Sequence, residues 1–166
     1  MKIAKYAYPF GVTSRITVSL VNDTTHPSLP VADAPDRLVE YWDEVIATQP
    51  DFEADKESVI VVLLSTVFRA YAWNRVSLGT VNECTAHPRE ILRPVICGGA
   101  HAFALMHNHP SGSANPSRAD EMVTRRLVEA SNLMQIRLMD HIIIPGAARR
   151  PGDPTYFSFR ECGLIP

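Results

Sequence analysis

The chain has no long hydrophobic run. Of its 166 residues, 46% are hydrophobic and 20% are charged. No apolar stretch approaches the roughly 18 residues that a membrane-spanning helix needs. The first residues, Met1–Tyr6, are not followed by the apolar segment of a signal peptide. We therefore expect a globular chain with a real core, no membrane segment and a cytoplasmic location.

Cysteine is also scarce. The three cysteines, Cys84, Cys97 and Cys162, stand far apart and follow no repeated spacing. An odd number with such spacings argues against a disulfide framework and against a Cys-x-x-Cys zinc site. We expect free thiols buried in the core.

Basic charge is not in excess. The 16 Lys and Arg residues are outnumbered by 18 Asp and Glu residues, so the net charge is −2. Nucleic-acid-binding domains usually carry a basic face. The charge balance therefore does not support DNA or RNA as a partner.

The periodicity of apolar residues predicts a mixed α/β domain. Strand patterns first follow one another and then alternate with helical patterns, which favours a mixed sheet with flanking helices. Pro94 lies inside the second helical pattern, where we expect a kink or an early end. The predicted strands are 14–20, 58–64, 70–76, 79–81, 102–107, 136–144 and 155–159, and the predicted helices begin at 33–35, 87–88 and 118.

The most informative segment is the one that contains His107 and His109. Histidines at i and i+2 of an extended segment point to the same side, and Asp120 in the first turn of the next helix can supply a third ligand. Three protein ligands leave one tetrahedral position open for water, as catalytic zinc sites require. The pattern predicts a zinc centre that activates water for hydrolysis.

Such a centre needs a general base. Glu57 begins the apolar strand 58–64 and is the favoured candidate, because that strand can lie beside 102–107. Glu90, in a compact polar cluster, is the alternative.

Two nearby features have both a structural and a functional interpretation. Ser117 and Asp120 fit a helix-capping box, with Ser117 at the N-cap, and a capping Asp120 can still face a metal. His141 follows Asp140 in a predicted strand. We interpret His141 as a buried, hydrogen-bonded residue, with support of the metal site as the alternative.

In this order, Glu57, His107-x-His109, Ser117 and Asp120 resemble the JAMM motif of the MPN-domain metalloproteases. The chain is most similar to the RadC branch of that superfamily. The resemblance covers residues 55–166. The similar segments are Gly79–Glu83, His87–Glu90, His107–Gly112, Pro116–Ser117, Asp140–Ile144, Tyr156–Glu161 and Gly163–Ile165.

This resemblance implies a fold, a cofactor and a reaction. The fold is a cytidine-deaminase-like α/β/α domain, the JAB/MPN fold, with a mixed, largely antiparallel sheet flanked by helices. His107, His109 and Asp120 would ligate Zn²⁺. Glu57 would be the general acid/base, and the Ser117 hydroxyl would stabilise the oxyanion. The partner would be a peptide or protein substrate, cleaved at a peptide or isopeptide bond.

The chain departs from the RadC pattern at two places. Residues 1–54 are too short for the N-terminal helix-hairpin-helix region of full-length RadC proteins, and 65–69 lacks the usual Asp-x-x-Asn. We divide the chain into an extension at 1–54, a strand and a helix packed on the domain, and a RadC-like catalytic domain at 55–166. A zinc metallopeptidase is the leading prediction. The alternatives are a non-enzymatic zinc-containing interaction module and a DNA-repair-associated accessory protein, and the sequence indicates no oligomeric state.

Overall fold

The computed structural model describes residues 30–79 and 87–166. The predicted strand 14–20, Cys84 and positions 80–83 lie outside the described residues. The described elements, in chain order, are α1 (Pro35–Tyr41), a π-helical segment (Trp42–Ile46), β1 (Ser58–Leu64), β2 (Ala70–Leu78), α2 (Pro88–Cys97), β3 (Ala102–His109), α3 (Arg118–Met134), β4 (Arg137–Pro145) and β5 (Phe157–Ser158).

The described strands form one mixed sheet in the order β2-β1-β3-β4-β5. β1 runs antiparallel to both β2 and β3, and β5 runs antiparallel to β4. β3 and β4 are parallel, and α3 connects them. Between β1 and β3, Val59 lies opposite His107. One parallel pair among antiparallel neighbours confirms the predicted mixed, largely antiparallel sheet.

Helices cover both faces of this sheet. β1 and β3 are buried along almost their whole length, which explains their nearly continuous apolar sequence. One face packs against α1 and the π-helical segment, with Leu38, Trp42 and Ile46 in the contact. The opposite face packs against α2 and α3, with Val95 and Leu127 in the contact. The predicted α/β/α class is confirmed.

α1 lies in the stretch that the sequence assigns to an N-terminal extension. The helix starts after the extended residue Ala34, with Pro35 in its first turn, where the missing N–H costs nothing. Leu38 and Trp42, four residues apart, are both buried against the sheet. The described part of residues 1–54 thus packs on the sheet, and the division between 54 and 55 stays a prediction.

We expected a kink or an early end of α2 at Pro94, and the early end is wrong. The helix continues to Cys97, and the Pro94 carbonyl accepts a 2.8 Å hydrogen bond from the Gly98 N–H. Ile91 and Val95 are fully buried on either side of the proline. Their burial offsets the hydrogen bond that proline cannot make.

The cysteines correct a second expectation. Cys97 and Cys162 are exposed rather than buried. Cys97 follows the buried Val95 by two positions, which turns it about 200° around the helix axis and away from the sheet. Cys162 lies in the turn after β5.

The last strand, β5, is shorter than the sequence predicts. β5 has only two residues, although the sequence predicts a strand over 155–159. The Phe159 N–H still donates to the His141 carbonyl before the chain turns away.

Among residues 30–79 and 87–166, no helix combines the length and apolar character needed to cross a membrane.

Candidate metal centre

The end of β3 carries two histidines on one face of the sheet. Side chains alternate along a strand, so His107 and His109 point the same way. His107 is only 2% exposed, and His109 is partly exposed at the rim. Their Nε2 atoms are 3.0 Å apart. Two ring nitrogens therefore converge on one place.

The first turn of α3 brings Asp120 to the same place. The Asp120 N–H donates to Ser117 Oγ over 3.2 Å, and the Ser117 N–H donates to Asp120 Oδ2 over 2.7 Å. The Ser117 hydroxyl also donates to Oδ2, over 2.6 Å. Oδ1 faces His107 Nε2 at 3.3 Å. The predicted capping box is confirmed, and it directs the carboxylate at the histidines.

The arrangement of protons and lone pairs suits a cation. His109 Nδ1 is 2.9 Å from the Ser113 carbonyl oxygen, which can only accept, so Nδ1 carries the proton and Nε2 the lone pair. That lone pair faces His107 Nε2 at 3.0 Å and Asp120 Oδ2 at 3.6 Å. Ligand atoms bound tetrahedrally to one zinc ion at about 2.0–2.1 Å lie roughly 3.3 Å apart. The donor set therefore fits Zn²⁺.

The same contacts shift the pKa values of two of these groups. Burial lowers the pKa of His109, but the Asp120 carboxylate, the Ser113 carbonyl and the charge of Glu57 stabilise the protonated ring and raise that pKa above its usual value. Burial raises the pKa of Asp120, but its interactions with the adjacent His107 and His109 rings outweigh the burial and hold that pKa well below its ordinary range. Asp120 is thus ionised and facing the two rings.

Glu57 reaches the site from β1. It lies one residue before the strand, and continuing the Val59–His107 pairing by two residues sets Glu57 opposite His109. A Glu57 carboxylate oxygen and one nitrogen of each histidine all lie within 4.8 Å of one another. The Glu57 carbonyl accepts a 2.8 Å hydrogen bond from the Gly79 N–H, which holds its backbone.

Glu90, the alternative base, lies in the first turn of α2 and forms ion pairs with Arg89 at 3.1 Å and Arg93 at 2.9 Å. Of the two candidate bases, Glu57 is the one whose carboxylate is grouped with the histidines.

The structure brings together all five predicted site residues, which are Glu57, His107, His109, Ser117 and Asp120. The catalytic and ligand roles of these five residues stay predictions.

Asn108, between the two histidines, is a residue that sequence reasoning missed. It is 3% exposed. Its Oδ1 accepts the Ser58 N–H at 2.8 Å, and its Nδ2 donates to the Lys56 carbonyl at 2.9 Å. One amide thus holds the backbone on both sides of Glu57. A polar residue inside an otherwise apolar strand was the available signal.

The loops after β3 and β4 form a wall beside the site. The His109 carbonyl accepts both the Gly112 N–H at 3.0 Å and the Gly146 N–H at 2.8 Å. A Cβ added to Gly112 would lie 2.3 Å from the Ala148 carbonyl carbon, so the loops are in direct contact. A polar cleft of about 290 Å³ lies between them, with Arg150 in its lining.

Comparison with known proteins gives consistent matches. Residues 32–164 match a family model described as a RadC-like JAB domain. A "UPF0758 protein" of Pelodictyon phaeoclathratiforme is 44% identical over 110 residues, which cover 66% of this chain and 46% of the relative. The "UPF0758 protein" of Chlorobium luteolum is 43% identical with the same coverage, and that of Chlorobaculum parvum is 39% identical over 113 residues, covering 68% and 48%. The chain thus spans about half the length of these curated relatives.

Proposed function

Because the chain belongs to the RadC-like JAB domain family, we propose that it is a zinc-dependent hydrolase that cleaves a peptide or isopeptide bond. One observation carries the proposal. The Nε2 atoms of His107 and His109 lie within 3.6 Å of each other and of an oxygen of the ionised Asp120 carboxylate. A second carboxylate, that of Glu57, lies beside them. Converging lone pairs and negative charge are costly in a half-buried site unless a cation or proton lies between them.

The residues divide into holding groups and a reacting group. His107, His109 and Asp120 would hold the zinc ion. When bound, zinc acts as a Lewis acid and lowers the pKa of a water molecule to about 7. Glu57 accepts the proton of the attacking water on a carboxylate oxygen and returns it to the leaving amine nitrogen.

Ser117 has a proposed part in the reaction that differs from its contacts in the structure. Family resemblance suggests that its hydroxyl stabilises the oxyanion. In the structure, that hydroxyl donates to Asp120 Oδ2 at 2.6 Å. Its proton therefore has to turn from the carboxylate towards the substrate oxygen during the reaction, and in the resting site Ser117 holds Asp120 in place.

The polar cleft favours a peptide chain as substrate. The cleft lies between the loops after β3 and β4, and its lining includes Ser111, Ser113, Asn115, Arg150 and Asp153. Hydroxyl, amide and charged groups suit the repeating N–H and C=O groups of an extended backbone. The cleft adjoins the proposed centre through Ser113, which lies in its lining and whose carbonyl accepts a hydrogen bond from His109.

The test is zinc content and hydrolysis in matched variants. Elemental analysis of the wild type should find about one zinc ion per chain, in line with one site of three protein ligands. Asp120→Asn removes the ligand charge at constant size and should lose zinc. Glu57→Gln should keep zinc and lose hydrolysis by a factor on the order of 10²–10⁴. Glu90→Gln, which alters the ion pairs on α2, is the control and should match the wild type in both measurements.

The outcomes separate the functional alternatives. Wild-type protein purified without chelator and found free of metal would contradict the zinc proposal. Zinc-loaded wild type that cleaves nothing in a proteome-wide peptide screen would favour a non-enzymatic interaction module. DNA binding with a steep salt dependence would favour the DNA-repair-associated alternative.

A further inference from the structure

A chain of buried hydrogen bonds runs behind His107, on the side away from Asp120. His107 Nδ1 is 2.9 Å from His141 Nε2. His141 Nδ1 is 2.7 Å from Thr124 Oγ1, and Thr124 Oγ1 is 2.7 Å from the Asp120 carbonyl oxygen. The chain starts at one proposed ligand and ends at the backbone of another. It also links β3, β4 and α3.

The positions of the protons along this chain follow from one end. The Asp120 carbonyl can only accept, so the single hydroxyl proton of Thr124 lies in that contact. Thr124 Oγ1 must then accept from His141, which places a proton on His141 Nδ1. Any other placement leaves two acceptors facing each other at 2.7 Å.

His141 is neutral, which fixes its second nitrogen. The side chain is 1% exposed, and its ring stacks flat on Phe159, with centroids 4.6 Å apart and planes 7° from parallel. Its two nitrogens are bonded to a hydroxyl and to another histidine rather than to an acid. An imidazolium there would be a buried charge with no carboxylate hydrogen-bonded to either nitrogen. Nε2 of His141 therefore carries a lone pair and accepts the proton of His107 Nδ1.

We propose that Thr124 and His141 are positioning residues that hold His107 in the Nδ1–H tautomer, which leaves the Nε2 lone pair free for the metal. The proposal rests on the proposed zinc site, because it assigns a purpose to that lone pair. The first turn of α3 then acts on the site twice. It supplies the Asp120 carboxylate, and through the Asp120 carbonyl it sets the protonation of His107.

The consequence of losing the Thr124 hydroxyl can be worked out. In Thr124→Val, a proton on His141 Nδ1 would be a buried donor without a partner, which is costly. The proton moves to His141 Nε2, from which it is donated to His107 Nδ1. His107 then carries its proton on Nε2, where it bonds to Asp120 Oδ1 and competes with zinc.

The first measurement needs no variant and no metal. Nitrogen-15 NMR of the metal-free wild type, in alkaline buffer, reads the protonation of each imidazole nitrogen. We expect His141 as a neutral Nδ1–H ring and His107 with a proton on Nδ1. A His141 ring protonated on Nε2, or a His107 Nδ1 without a proton, would overturn the proposal.

The second measurement is the zinc dissociation constant, determined by competition with a chelator. Thr124→Val should bind zinc about 10–100-fold more weakly, the usual cost of losing a group that orients a ligand. Thr124→Ser keeps the hydroxyl and should bind like the wild type. Ser131→Ala is the matched control, because it also removes a buried hydroxyl from α3, one with no hydrogen-bond partner among the described residues.

The two proposals fail in different ways. Wild-type protein that binds no zinc would contradict the zinc centre, while the NMR spectrum still decides the tautomer. Wild type that binds zinc, with Thr124→Val binding equally well, would leave the zinc centre in place and overturn the positioning role. Thermal unfolding of each variant shows whether weaker binding reflects a damaged fold.

Discussion

At the scale of single residues, Asn108 links the two strands that build the site. Its amide bonds to the backbone of Lys56 and Ser58 at 2.9 and 2.8 Å. Glu57 lies between those two anchor points, and its carbonyl is held by Gly79 at 2.8 Å. The placement of the proposed base is therefore determined through its backbone, by a neighbour of the proposed ligands.

Asn108→Ala tests this link. The substitution leaves the buried Ser58 N–H and the part-buried Lys56 carbonyl without their side-chain partner, so we expect the free energy of unfolding to fall by about 1–3 kcal/mol. Hydrolysis should fall more than zinc affinity, because Glu57 loses its anchor while the ligands keep theirs. Urea unfolding and zinc titration provide the measurements. Asn74→Ala, at an exposed position of β2, is the control, and an equal loss of stability in both variants would contradict the account.

At the scale of elements, the loops after β3 and β4 meet at a glycine. Gly112 has a φ of 82°, and a Cβ there would lie 2.3 Å from the Ala148 backbone. Gly152 has a φ of 93°, and no described atom lies within 4 Å of its Cβ position. The two glycines share a positive φ and differ in the space around them.

This pair separates backbone strain from loop contact. Both Gly112→Ala and Gly152→Ala put an L-residue in the left-handed region, which costs about 1–2 kcal/mol. Gly112→Ala also forces the two loops apart, so it should lose clearly more unfolding free energy and weaken zinc binding through His109. Gly152→Ala should bind zinc like the wild type. Denaturant unfolding measures the free energy of unfolding of both variants. An equal decrease in the two would show that the loop contact does not contribute to stability.

Local sequence patterns predict some features of the site and not others. The spacing of His107 and His109 and the Ser117–Asp120 cap are local patterns, and both were predictable because strand alternation and capping act within a few residues. The preference for Glu57 over Glu90 depended on which strands pair. Apolar runs do not specify pairing, and the observed β1–β3 register supplied it.

The contacts that sequence reasoning missed are long-range. Asn108 bonds to residues about 50 positions away, and His107 meets His141 across the parallel β3–β4 pair. The exposed Cys97 was mispredicted because hydrophobic character alone does not give the phase of a helix. Periodicity identifies elements, whereas their assembly decides which polar atoms meet.

At the scale of the whole molecule, the proposed zinc site would couple metal binding to folding. A ligand that binds only the folded chain stabilises it by about 2.7 kcal/mol at a hundredfold excess over its dissociation constant. For a chain of this size, that corresponds to roughly 5–10 °C in Tm. Chelation should lower the Tm of the wild type and leave that of Asp120→Asn unchanged.

The size of this zinc effect depends on pH. The pKa of His109 is raised in the fold, so its protonation stabilises the metal-free protein at low pH, and this contribution is lost as pH rises through the folded pKa. Zinc needs the neutral ring. The Tm difference between zinc-loaded and chelated protein should therefore grow as pH rises through and above the ordinary histidine range. A difference that is constant with pH would contradict His109 as a ligand.

The pairing of β1 with β3 also requires that the site residues on each strand be separated by an even number of positions. Glu57 and Val59 share a face with His107 and His109 because each pair is separated by two residues, and the strands align them one to one. Inserting one residue between Glu57 and Val59 would turn the carboxylate to the α1 side of the sheet. The alignment itself is set by the direct pairing of the two strands rather than by the number of residues between them. The site therefore depends on side-chain alternation within β1 and β3 and on their register. The sequence separation between the two strands does not enter this alignment.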